Sequence, residues 1–158
     1  MKRVALICLL AVVSMFTAAA DDDEFGFGVW FNSSRSNIDG VGLGVPVIGN
    51  RKTEGASLAL CGNKVQNMEG FQLALLGFNY ADSLEGVQLA FINMLRKQCG
   101  DFALQLGFYN QSAENGIQIG FLNNAKDNDS FQLGLININK NGLLPVMIFV
   151  NFGKDFFD

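Results

Sequence analysis

The chain contains no histidine, two prolines, three cysteines and one tryptophan in 158 residues. Without histidine there is no imidazole metal site, no histidine-based triad and no histidine general acid–base chemistry. Scarce proline leaves few points where a strand or helix must break. After the N-terminus no apolar run approaches the roughly 20 residues of a membrane-spanning helix. Cations are few: Lys and Arg number 11 against 15 Asp and Glu, a net charge of −4. Such a balance argues against nucleic acid or an anionic lipid surface as partner. No Gly-rich phosphate loop followed by Lys-Ser/Thr occurs. No cofactor, metal or small-molecule substrate is expected. Thr53 is the sole threonine after residue 20, which excludes an ice-binding face built from threonine rows.

What is abundant is glycine (18) and phenylalanine (15), and hydrophobic residues make up 49% of the chain. Strand formers plus glycine predict an all-β chain. The first twenty residues read as a separate object. Lys2 and Arg3 precede an apolar run from Val4 to Phe16, and Ala18-Ala19-Ala20 supplies small residues for a peptidase. This pattern predicts a secretory signal peptide over 1–20, with Asp21 beginning the mature chain. Removing it lowers the net charge to −6. Residues 21–40 read as an N-terminal cap or tail, and 41–158 as a repeat domain with an aromatic C-terminal cap.

The repeat is the main signal. Phe71-Gln72-Leu73-Ala74-Leu75-Leu76-Gly77 recurs as Val87 to Asn93, Leu104 to Asn110, Ile117 to Asn123 and Phe131 to Asn137. Degenerate copies stand at 41–47, 56–62 and 145–151. Gln72, Gln88, Gln105, Gln118 and Gln132 occupy one slot, spaced 13 to 17 residues apart. Large apolar residues alternate around them with period two, the signature of a strand. The slot two after Gln is small (Ala74, Ala90, Gly107, Gly120, Gly134), which implies close packing or a narrow interior. The last slot holds Gly62, Gly77, Asn93, Asn110, Asn123 and Asn137, and its Gly/Asn content predicts a left-handed corner. A second glycine slot precedes Gln by two: Gly40, Gly55, Gly70, Gly86 and Gly116.

Eight similar strands fit a parallel β-solenoid of about eight short coils, or an antiparallel meander closed into an eight-stranded barrel of the outer membrane. Three features favour the solenoid. The connections are alike, whereas outer-membrane barrels alternate short turns with long loops. Parallel stacking puts like on like, making a ladder of the five glutamines and another of Asn93, Asn110, Asn123 and Asn137. The strands are also short for an apolar band of about 25 Å. Against it, parallel strands usually need a dozen or more connecting residues, and here the return has about 7 to 11. In the solenoid, Cys61 and Cys99 stand too many rungs apart for a bridge, so two free, largely buried thiols are expected. An apolar stripe of Leu76, Ile92, Tyr109, Leu122 and Ile136, on the Gln face, is a candidate interaction surface.

Gly86-Val87-Gln88-Leu89-Ala90-Phe91-Ile92-Asn93, with Ala81 and Leu84 upstream, resembles the repeat of bacterial surface repeat-containing proteins, and Leu144-Pro145 through Asn151-Phe152-Gly153 resembles that family's closing segment. The resemblance spans roughly residues 40–153. Gly42 and Ser57 depart from it in the Gln slot. It implies export and surface display, and brings no activity and no catalytic residues. The expectation is therefore a non-enzymatic exported protein in the periplasm, outer membrane or cell surface of a Gram-negative-type bacterium. Its role is structural or interactive, through a protein partner, self-association by a β face, or the outer membrane. Carboxylates such as Glu85 and Glu114 form no convincing catalytic pair. Asp127-Asn128-Asp129-Ser130 reads as a solvated turn rather than a Ca²⁺ loop.

Overall fold

A computed structural model describes residues 23–33, 37–97, 102–113, 116–126 and 129–156. The expected leader at 1–20, Cys99 and Glu114 lie outside the described residues, as do Asp127 and Asn128.

The described residues form one nine-stranded sheet in sequence order: β1 (Asp23–Ser33), β2 (Asn37–Ala59), β3 (Gly62–Ala74), β4 (Phe78–Leu89), β5 (Ile92–Leu95), β6 (Ala103–Ser112), β7 (Ile117–Ala125), β8 (Phe131–Asn139) and β9 (Val146–Phe152). Every pairing from β1 to β8 is parallel. The sheet winds into a β-solenoid of about six turns. The antiparallel barrel is thereby set aside. The copy at 145–151 is no coil. It is β9, which runs antiparallel to β8 and pairs Phe152 with Phe131. β1, within the expected N-terminal cap, stacks in register below β2, Gly26 on Gly42.

One coil shows how the tight return is accommodated. Phe71 to Ala74 forms a first face. The chain bends at 75–77, and Phe78 to Ala81 forms a second face, stacked on Gly62 to Val65. Leu84 then points inward, and the chain turns at Gly86 onto the next rung. The return does not re-cross the strand as a bare connection. It is itself strand, which is why β2 and β4 run through a corner as long elements.

The corner glycines follow from two constraints together. Gly55, Gly70 and Gly86 have φ of 117°, 124° and 132°, where side chains are costly. A Cβ on Gly70 would also lie 2.1 Å from the carbonyl oxygen of Gly55 one rung below. The expected left-handed conformation at the asparagine slot is not found: no asparagine among the described residues has positive φ. The asparagines serve the interior instead.

That interior is largely polar. All five ladder glutamines are buried, as are Asn63, Asn79, Asn93, Asn110, Asn123 and Asn137. Apolar residues fill the rest: Val65, Met68, Ala81, Leu84, Leu95 and Ala103 form one cluster. Ile38, Ile48 and Ala59 form a second, in the first coils, where Gly42 occupies the Gln slot.

Candidate interaction face

The amide ladders set which side of each strand faces out. Gln88 Nε2 donates to Gln72 Oε1 (2.8 Å), Gln105 to Gln88 (2.9 Å), Gln118 to Gln105 (2.8 Å) and Gln132 to Gln118 (2.9 Å). Gln72, Gln105, Gln118 and Gln132 also donate across the coil to second-face carbonyls, as from Gln105 to Gln111 (3.1 Å) and from Gln132 to Ile138 (3.0 Å). The asparagines form a parallel column with the opposite polarity. Asn63 Nδ2 donates to Asn79 Oδ1 (2.8 Å), and the chain continues through Asn93, Asn110 and Asn123 to Asn137. They also bond corner carbonyls, for example Asn93 to Leu106 (2.8 Å) and Asn123 to Leu133 (3.0 Å). A glutamine carries two donors and an acceptor with two lone pairs, so stacked copies satisfy one another where an isolated amide would not. Gln132 Oε1, at the open end of its ladder, is the only buried side-chain polar atom among the described residues without a partner.

The small slot follows from these columns. A Cβ on Gly120 would sit 2.5 Å from Asn110 Nδ2 and 2.0 Å from the Gly107 carbonyl. Asparagine and backbone occupy the room a side chain would need. Ser57 breaks the Gln pattern and starts the other column. Its hydroxyl donates to Asn63 Oδ1 (2.9 Å) and so closes the first acceptor of the asparagines.

With amides inside, period-two alternation sends the large apolar residues out. On the first face they form three columns. The first is Ala56, Phe71, Val87, Leu104, Ile117 and Phe131; the second is Leu58, Leu73, Leu89, Leu106, Ile119 and Leu133. The third, at the corner, holds Leu60, Leu75, Phe91, Phe108, Phe121 and Leu135, with the Phe108 and Phe121 rings stacked at 4.7 Å. The third column stands proud: Leu75, Phe91 and Phe108 are 58–60% exposed, whereas no residue of the second exceeds 41%. Between them lies an open apolar depression of ≈ 520 Å³, lined by Leu73, Leu89, Phe91 and Phe121 among others.

The stripe expected on the Gln face is differently placed. Ile92, Tyr109, Leu122 and Ile136 do stack on one another. They lie on the outside of the second face, because the chain bends between them and the interior glutamines. Leu76 is not among them. The corner at 75–77 is longer than in later coils, and Phe78 takes the place beside Ile92. Leu76 projects from that corner, 67% exposed. The same offset shifts Gly62 and Gly77 out of the asparagine slot in favour of Asn63 and Asn79.

Charge gathers along one edge. Glu54, Glu69 and Glu85 stack directly before the corner glycines. Lys52 pairs with Glu54 and, at 3.4 Å, with Glu69. The hydrogen bond to Glu54, reinforced by Glu69, raises the Lys52 pKa above its ordinary value. Glu85 is exposed. Asp129 is exposed in a turn, and Ser130 Oγ accepts from Asn139 (2.7 Å). Cys61 is a free, half-buried thiol in the bend between β2 and β3, not in a strand. No helix of the described residues is long and apolar enough to cross a membrane.

The class defined by this geometry is a parallel β-solenoid with amide ladders inside and an apolar face outside. Comparisons with family models, curated proteins and solved structures return no match.

Proposed function

We propose that this is a non-enzymatic, exported repeat protein of the bacterial cell envelope that acts by docking through its apolar first face. One observation carries the docking part. Three adjacent columns of the outer surface are apolar at every rung, on a scaffold that spends its polar side chains inside. Contiguous apolar patches beyond a few hundred Å² on a soluble chain mark interaction sites. Export rests on the leader pattern of residues 1–20. An envelope location rests on that pattern and on the resemblance of the repeat.

The test is expression of the full chain, tagged at its C-terminus, in a Gram-negative host, followed by fractionation and N-terminal sequencing. The expected product begins at Asp21 and leaves the cytoplasm. A product that keeps Met1 to Ala20 and stays in the cytoplasm would overturn the proposal.

A further inference from the structure

We infer that the apolar first face is the contact between two copies of this chain, packed sheet against sheet. The inference rests on the reading of that face as the docking surface, and adds the occupant.

Area supports it. From Val41, Leu43 and Val45 below to Phe152 and Val150 above, the face spans about eight rungs. At about 4.8 Å per rung and 3.3 Å per residue, that is roughly 35 Å by 17 Å, or about 600 Å² in flat projection. Corrugated side chains expose more than their projection. The face therefore approaches the roughly 800 Å² per partner of a stable interface.

Shape supports it as well. The third column is a ridge and the second a trough. A two-fold axis along the solenoid, lying between those columns, sets each ridge in the partner's trough. This is an isologous contact, closed at two copies. The composition is that of an inner sandwich face: Val, Ile, Leu and Phe, with sheets about 10 Å apart.

Charge argues against lipid as the occupant. Surface-seeking segments combine an apolar face with Lys or Arg beside it and Trp at the headgroup level. The three columns contain no Lys, Arg, Trp or Tyr. The neighbouring edge is net acidic, with Glu54, Glu69 and Glu85 in line against Lys52 alone, which is held by two of them.

The experiment is sedimentation equilibrium of the full chain, in the processed form the host yields, without detergent. It is run beside a Phe91→Glu/Phe108→Glu variant and, on the second face, Tyr80→Glu. The expected result is a dimer whose dissociation constant rises at least about 100-fold in the double variant and hardly changes in Tyr80→Glu. Circular dichroism establishes that each variant keeps its β signal. Should the double variant not fold, a Phe91→Cys/Cys61→Ser/Cys99→Ser chain supplies the test: the two-fold sets its thiols roughly 10 Å apart, too far for a disulfide, so a bis-maleimide of about that span should link two copies in the expected dimer and leave the Cys61→Ser/Cys99→Ser parent unlinked. A wild-type monomer at 100 µM overturns the inference. If that monomer co-floats with phosphatidylcholine vesicles and the double variant does not, the face still docks, but on lipid, so only the occupant is wrong. A dimer indifferent to both face charges overturns the docking reading too.

Discussion

Replacing Gln88 with leucine, nearly its equal in size, tests whether the ladder is buried and continuous. Gln88 has no solvent exposure. It donates to Gln72 Oε1 at 2.8 Å and accepts from Gln105 Nε2 at 2.9 Å. Leucine removes both bonds, about 1 kcal/mol each in net terms, and seals Gln72 Oε1 from water without a donor, a further 1–3 kcal/mol or so. Gln105 keeps its bond to the Gln111 carbonyl at 3.1 Å and is not orphaned. Burying the leucine side chain returns roughly 2 kcal/mol. The net expectation is a loss of about 2 kcal/mol. The sharper test is the pair. Gln72→Leu alone strands Gln88 Nε2, but Gln72→Leu with Gln88→Leu strands neither group. The double variant should therefore be more stable than the sum of the singles by about 2 kcal/mol, a coupling within the range seen for contacting residues. Urea unfolding followed by far-ultraviolet circular dichroism measures all four corners of the cycle. A neutral or stabilising Gln88→Leu, or additivity within about 0.5 kcal/mol, would refute the buried ladder.

Further expectations concern the corners, the second ladder and the outside. Gly70→Ala, forced to φ 124° with its methyl against the Gly55 carbonyl, should cost about 3 kcal/mol or abolish folding. Gly116→Ala, whose nearest contact would be 3.0 Å, should cost clearly less in the same urea assay. Asn110→Ala removes donors to Ile119 O and Asn123 Oδ1 and should lose about 3 kcal/mol by thermal or urea unfolding. Ile92→Gln, 41% exposed on the second face, should change stability by less than about 1 kcal/mol. That would make the outward apolar residue more replaceable by an amide than the inward amide by an apolar one. Peptide mapping without reductant should recover Cys61 and Cys99 unbridged, and a mapped Cys61–Cys99 disulfide would contradict the coil register.

The period, the five glutamines, the small slot and the corner glycines are all legible in the sequence, because stacked coils repeat the same local demand. Sidedness is not. Alternation shows that Phe71, Leu73 and Leu75 oppose Gln72 and Ala74, but not which set lies inside. The ordinary preference for buried Leu and Phe would choose wrongly. The amides prevail because stacking gives each ladder amide a partner one rung away, and because backbone and asparagine crowd the small slot beside them. The register slip at Leu76 is equally silent, since Leu75-Leu76-Gly77 looks like Phe91-Ile92-Asn93 until the longer corner is seen. Nor does the copy at 145–151 declare its direction. An apolar alternation that ends in Asn151 suits a parallel rung and an antiparallel closing strand alike.

The opposite polarity of the two amide columns bears on how long such a protein can grow. Each glutamine passes its hydrogen toward the N-terminus, and each asparagine toward the C-terminus. A single column of aligned amides would add dipole to dipole with every coil, as peptide units do along a helix, and its two ends would become increasingly unlike. Here each new coil contributes one amide in each sense. The summed field stays near zero whatever the number of coils, so only the terminal groups differ: Ser57 meets the first acceptor of the asparagines, and Gln132 Oε1 ends its ladder without a partner. Duplication of a coil between them would lengthen the molecule by one rung and widen its apolar face by three residues, without asking the caps to change.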